Sequence, residues 1–207
     1  MYQVFIEGGV IRKLWGVETN VYRDHLLRLD AESRRNRFCG TIADDIIRTY
    51  AATARGRDVI LHGFFVDGVL RGVADLRIVR PLDRREAEAA FSIEKPWQSH
   101  GVGSALLERT LLTARNRGIK HLEVCCLAEN QRMQQLARKF EAELTLDFGT
   151  LVGKMQNRHP TPLSLMQEMV ADGHSFAAAY VDFQSRLLMP LGALAVRPSL
   201  PSLLQVY

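Results

Sequence analysis

Cysteine is scarce: three residues in 207, at positions 39, 125 and 126. An odd number cannot all pair, which excludes a small scaffold stapled by disulfides. Cys125 and Cys126 are neighbours whose side chains point to opposite faces of a strand, so they read as reduced, apolar strand residues. No second Cys/His pair stands at ligand spacing, and no metal is expected. There is also no apolar run of the ~18 residues a spanning helix needs. The opening segment, Met1-Tyr2-Gln3-Val4-Phe5-Ile6-Glu7, lacks the basic stretch of a secretory leader, so a cytoplasmic chain without membrane attachment is the expectation. Basic and aromatic residues do not interleave on any one segment, which argues against a nucleic-acid partner. His62, His121 and His174 have no partner at triad or metal spacing and read as structural or surface residues.

What is present is the composition of an ordinary globular chain, 47% hydrophobic and 24% charged, long enough to bury one core. The net charge is +4, and its distribution is uneven. From residue 157 onward Arg158, Arg186 and Arg197 balance Glu168, Asp172 and Asp182. The whole positive excess therefore lies in residues 1–156, where it would steer a polyanionic ligand. Arg34, Arg35 and Arg37 individually read as a solvated surface.

Glycine and proline punctuate the chain. Residues 10–15 suit a first strand, and Thr19 suits the start of a helix carrying Val21, Leu26 and Leu29. Thr41 with Asp44 resembles a capping box ahead of Ile46, Ile47 and Tyr50. Val59–Val66 and Val69–Val79 read as strands joined at Asp67-Gly68, a strong hairpin signal. Pro81-Leu82-Asp83-Arg84-Arg85 reads as a loop, and Ala87–Ile93 as the next strand. Then comes Gln98-Ser99-His100-Gly101-Val102-Gly103, feeding through Ser104 into a run with Leu106, Leu107, Thr110, Leu111 and Ala114 at helical spacing. Gly118 closes that helix, residues 119–127 form a strand, and Asn130 opens a helix carrying Met133, Leu136 and Ala137.

A glycine loop running into a helix N-terminus holds phosphates, because the first N–H groups are unpaired and sit at the positive end of the dipole. A P-loop would need a lysine, and none stands between Lys95 and Lys120. A dinucleotide fingerprint would need glycine where Leu106 sits. The pattern Gln98-x-x-Gly101-x-Gly103, in the order strand, loop, helix, strand, Asn-led helix, resembles instead the acetyl-CoA loop of the GCN5-related N-acetyltransferases (GNAT). Trp97 before the loop, Glu88 ahead of it, Glu129-Asn130-x-x-Met133 after it, and Arg28-Leu29-x-x-Glu32-Ser33-Arg34-x-x-Arg37-Phe38 with Gly72-Val73-Ala74 upstream are most similar to the bacterial protein-lysine acetyltransferase branch. The likeness spans roughly residues 10–150.

The resemblance implies an α/β (α+β) fold: a mixed, mostly antiparallel twisted sheet of six to seven strands flanked by about four helices. It implies acetyl-CoA as cosubstrate, bound by Ile93, Gln98, Ser99, His100, Gly101, Val102, Gly103, Ser104, Asn130 and Met133. The loop residues would act more through backbone than side chain. His100 would face the pyrophosphate or simply solvent, and Asn130 would cap its helix, line the pantetheine, or both. A backbone N–H near Ile93 would meet the oxyanion. The acceptor is a primary amine, of a small molecule or a protein lysine. Because an alkylamine with a pKa near ~10.4 is mostly ammonium at neutral pH, a base is useful, and Glu88 occupies the family's strand-four glutamate position. An edge-of-sheet charge is its plain alternative, and Glu94 on the same strand face is the fallback. Many relatives supply a tyrosine on the helix after strand five; residues 130–150 contain none, so no general acid is assigned. Relatives also carry glycine after the phenylalanine matching Phe140. Glu141 stands there instead, which suggests a helix continuing toward Leu144. The alternative reading is a non-catalytic regulatory protein that keeps the acyl-CoA pocket.

The family's last strand is expected around Thr145–Lys154. After it the composition breaks at Asn157-Arg158-His159-Pro160, giving a core of 1–156 and an appendage of 157–207. Thr161-Pro162 reads as N-cap and first helical residue. Met166, Met169, Val170, Phe176, Ala177 and Tyr180 then follow one helical face toward Leu188. That apolar face and the tail beyond it are expected to dock on the core or on a dimer partner.

Overall fold

The computed structural model describes residues 8–79 and 86–175. Seven strands form one sheet in the order β1-β2-β3-β4-β5-β7-β6. They are β1 (Val10–Leu14), β2 (Val59–Val66), β3 (Val69–Ile78), β4 (Glu86–Ile93), β5 (His121–Leu127), β6 (Glu143–Asp147) and β7 (Thr150–Gln156). The helices are α1 (Thr19–Arg28), α2 (Ala31–Phe38), α3 (Asp44–Ala52), α4 (Val102–Asn116), α5 (Gln131–Lys139) and a helix over 162–175, α6. The 80–85 loop and the expected helical face beyond residue 175 lie outside the described residues.

Alternation along the strands sorts side chains into two layers. Leu61, Phe65 and Val73 face α1 and α3 with Tyr22, Leu26 and Ile47. Ile60, Leu76, Ala87, Leu122 and Val124 face α4 and α5 with Leu107, Ala114 and Ala137. The Asp67-Gly68 turn takes positive φ at both residues, 48° and 71°, the I′ geometry that suits a tight hairpin.

Several local expectations change. The helix opened by Thr41 begins instead after Ala43, whose side chain forms no cap, with Asp44 and Asp45 in its first turn. One expected strand near 145–154 is a hairpin, β6–β7, turned at Phe148-Gly149 with φ of 41° and 85°. α5 stops at Lys139, and Glu141 adopts φ 59°. A left-handed turn is thus made here by a non-glycine residue, at a steric cost. Cys126 is buried as expected, whereas Cys125 is exposed on the α2 face with its Sγ 4.0 Å from that of Cys39.

Two histidines are wholly buried. His25 Nε2 lies 3.0 Å from Ser92 Oγ, and His62 Nε2 lies 3.1 Å from Thr113 Oγ1. Burial lowers both pKa values, and Arg109, Lys13 and Arg117 lower that of His62 further. The unfolded chain therefore binds protons below about pH 6.5 that the folded chain does not, and stability falls as pH drops through that point. Denaturant unfolding of His62→Gln between about pH 6.5 and 5.5 should show a shallower fall in stability than the unaltered chain; an unchanged slope would place the proton uptake elsewhere.

Candidate active site

The strand pair β4–β5 is the sheet's one parallel junction among the described residues, and it is short. Pairing covers Glu86↔His121, Ala87↔Leu122 and Glu88↔Glu123 and then stops. On its other side β4 stays paired with β3 to Gly72↔Ile93. Because Glu94 N–H donates to Arg71 O at 2.9 Å, Gly72 and Ile93 are a non-hydrogen-bonded pair, and the backbone groups of Ile93 point away from β3. The same holds two residues earlier for Phe91. Their N–H groups therefore face an open seam between β4 and β5.

The loop closes one end of that seam. Trp97 packs its ring edge against Phe64, 5.7 Å between centroids, anchoring the approach. Ser99 takes φ 64° and Gly101 φ 81°, a left-handed pair that turns the chain into α4. The first intrahelical bond is Ala105 N–H to Gly101 O, 3.1 Å, which leaves the N–H groups of Val102, Gly103 and Ser104 ahead of the ladder. No acidic side chain occupies this first turn. A Cβ on Gly101 would meet nothing, and one on Gly103 would already touch Leu136 at 3.4 Å and Ile93 at 3.5 Å. A larger side chain there would fill the space at the head of the seam.

Basic side chains ring the loop. Lys139 Nζ donates to Ser104 Oγ at 3.1 Å, Arg132 donates to Gln98 Oε1 at 2.8 Å, and His100 Nδ1 lies 2.6 Å from Gln98 O. Unpaired N–H groups at a dipole's positive end, with these side chains beside them, have the chemistry to hold an anionic group such as a pyrophosphate. The open β4 edge beside it is a backbone template for an extended amide-bearing arm.

The loop residues are expected to act more through backbone than side chain, but the Gln98 side chain is a strut. Its Nε2 donates to Ile93 O at 2.8 Å and to Ser33 Oγ of α2 at 3.0 Å, while its Oε1 takes Arg132 from α5. Asn130 caps α5, accepting Met133 N–H at 3.2 Å, and the Met133 side chain packs into the α4–α5 core. The structure thus gathers Ile93, Gln98–Ser104 and α5 at one end of β4. Glu88 stands apart toward the other end, exposed on the α1–α3 face.

Glu94 is not a free base. Arg71 donates to its Oε2 at 2.8 Å and Arg28 to its Oε1 at 3.0 Å, with His25 Nδ1 at 3.4 Å. Burial alone would raise its pKa, but these partners outweigh burial and hold it at about 2. Glu88 has no side-chain partner among the described residues, and its strand neighbour Glu123 is paired with Lys154 at 2.8 Å. Arg37 is also not solvated. Its guanidinium is buried on Asp75, 3.1 Å, beside Tyr50 OH at 2.8 Å. The sequence does not single out His25, Arg132 or Lys139, and Ser33 enters it only within the upstream motif. The seven-residue spacing of Arg132 and Lys139 on one amphipathic helix is the only local signal those two leave.

A seven-strand mixed sheet splayed at one parallel junction, with a glycine loop heading the helix at its mouth, defines an acyl-CoA-dependent N-acetyltransferase. The chain belongs to the acetyltransferase (GNAT) family, whose model matches residues 22–141. It is similar in structure to the GNAT domain of S. lividans PAT, with TM-score 0.61 and 18% identity over 75% of this chain and 99% of that one. It is also similar to yncA from Salmonella typhimurium, solved with its cofactor acetyl-CoA, with TM-score 0.54 and 19% identity over 75% and 98%. The ribosomal L7/L12 alpha-N-protein acetyltransferase RimL, solved with coenzyme A, gives TM-score 0.55 and 14% identity over 73% and 95%. Among the described residues no helix is long and apolar enough to cross a membrane, and no group of three ligating side chains could hold a metal.

Proposed function

We propose that this chain moves the acetyl group of acetyl-CoA directly to a primary amine, with protein lysine side chains the first acceptor class to test. The observation that carries the reading is the open seam, with strand-edge N–H groups at Phe91 and Ile93 and an N-terminal helix cradle at Gly101–Ser104. Acetyl-CoA supplies a thioester whose carbonyl gains negative charge as an amine adds. A fixed backbone N–H stabilises that charge, and Gln98 fixes this stretch of strand by bonding Ile93 O.

Geometry constrains which N–H serves. Glu88 and Ile93 are five residues apart, roughly 16 Å along a strand, whereas Glu88 and Phe91 are about 10 Å apart. A general base must reach its proton directly or through one water. The Glu88 side chain with one water spans the shorter gap and not the longer. If Glu88 takes the amine's proton, the Phe91 N–H is the oxyanion donor, and Ile93 holds the arm leading to the thiol. The protein substrate named for RimL makes protein amines acceptors to try beside small polyamines.

Thiol release from acetyl-CoA with a panel of peptides and amines tests the reaction. Tight binding without turnover on any amine would favour the regulatory alternative. Binding itself is expected to raise stability by about 2.7 kcal/mol at a hundredfold excess over Kd, a Tm shift of roughly 5–10 °C for a chain this size. Gly103→Val, which fills the head of the seam, should abolish that shift; a folded Gly103→Val protein with the full shift would sink the site assignment.

A further inference from the structure

α2 lies along the side of the sheet where β4 and β5 part, packed on both strands. Three side-chain contacts hold it to the loop and to β5. Ser33 near its N-terminus meets Gln98 at 3.0 Å, and Arg35 pairs with Glu129 just past β5. At its other end Cys39 meets Cys125 of β5, with 4.0 Å between the sulfurs. The backbone fixes Cys39 in place. It takes φ 52° and ψ 27°, a left-handed cap whose N–H bonds Arg35 O, and Gly40 N–H donates to the same carbonyl at 3.1 Å. Glycine or asparagine ordinarily fills such a position. Cys125 stands two residues past Glu123, the last β5 residue paired with β4, and it is exposed. Cys126, on the opposite face of the strand, is buried.

We propose that Cys39 and Cys125 are a dithiol that hydrogen peroxide closes to a disulfide, tying α2 to β5 where the β4–β5 ladder has ended. Exposure divides the roles. Cys125 meets the oxidant first, whereas burial and the adjacent Cys125 push the Cys39 thiol up to about 11, so Cys39 stays protonated at neutral pH. The Cys125 thiolate attacks one peroxide oxygen and the O–O bond breaks. Hydroxide leaves, takes up the proton that Cys125 gave away, and becomes water, leaving a sulfenic acid. The Cys39 sulfur then attacks the sulfenic sulfur, the S–O bond breaks, and hydroxide departs with the Cys39 proton as a second water. Two electrons pass from the sulfur pair to the peroxide. An S–S bond is ~2.05 Å long, so the sulfurs must approach by about 2 Å, which side-chain rotation at two cysteines covers. Oxidation thereby pins the α2 side of the seam, and reductant frees it.

Peroxide titration of the full-length chain, freshly reduced and stripped of reductant, tests the proposal. Free thiols are alkylated at the end of each step, and non-reduced peptides are mapped by mass spectrometry. An intramolecular Cys39–Cys125 link is expected, with Cys126 still a thiol and both linked thiols recovered on adding dithiothreitol. The Cys126→Ala chain should form the same link. In Cys39→Ser the link is lost, and Cys125 should stop at a sulfenic acid that dimedone traps. Cys125 carried on to sulfinic acid while Cys39 remains a free thiol would overturn the proposal. So would a Cys125–Cys126 link, a link found only between two molecules, or two unreacted thiols at peroxide levels that fully oxidise free cysteine.

Discussion

Asp75→Asn is expected to lower unfolding stability by about 3–5 kcal/mol, because it removes the charge from a buried, fully committed carboxylate. Asp75 is 1% exposed in the middle of β3. Its Oδ2 accepts Tyr22 OH and Tyr50 OH, both at 2.7 Å, Arg37 at 3.1 Å and Arg77 Nε at 3.0 Å. Those partners come from α1, α3, α2 and β3, so one carboxylate fastens the whole helical layer on this face to the sheet. Asparagine keeps the shape but leaves the Arg37 guanidinium buried without a counter-charge. The expected fall in Tm is on the order of 10 °C, measurable by calorimetry. Adding Arg37→Met to Asp75→Asn should recover part of the loss, since the uncompensated charge is then gone. A loss under ~1 kcal/mol for the single variant would show that the tyrosines, not the ion pair, carry the layer.

Glu88→Gln is expected to cut the acetylation rate ~10²-fold while leaving acetyl-CoA affinity near wild type. Two other acids near that face are already held, Glu94 by Arg28, Arg71 and His25, and Glu123 by Lys154. Glu88 sits where the parallel ladder ends, at the opening of the seam. If it removes the amine's proton, the variant also loses the rise of rate with pH on the acidic side. Steady-state kinetics against a saturating amine, over a pH series, read both effects. Equal activity in the glutamine variant would leave deprotonation to water and would free Ile93 to be the oxyanion donor after all.

The parts of this molecule legible in its sequence are those written in backbone requirements. Asp67-Gly68 announces its hairpin, Gly118 its helix end at φ 71°, and Asn130 its cap, because each residue answers a local geometric demand. Gln98-x-x-Gly101-x-Gly103 is legible for the same reason. What failed were side chains whose partners lie far along the chain. Arg37 looks like one more surface arginine until Asp75, 38 residues away, is brought beneath it. Gln98 looks like a spacer until Ser33 and Arg132 close on it. The outward turn of α6, which leaves Met166 and Met169 exposed, defeats periodicity outright. Spacing shows that an apolar stripe exists, but not that Glu168 and Asp172 opposite it will find Arg117 and Arg109 and decide which face goes in.

The three-pair junction between β4 and β5 has a mechanical consequence. The strands β1–β4, with α1–α3 bound to them through Asp75, make one block; β5–β7 with α5 make another. Between the blocks the sheet contributes little more than the ladder from Glu86 to Glu88; α4, packed against β2, β3 and β4, joins them by sharing its core residues Leu107 and Ala114 with Leu122, Val124 and Ala137. A ladder that ends early leaves the far ends, at Ile93 and Leu127, held apart without strand pairing between them, so a molecule lodged there touches both halves of the sheet at once.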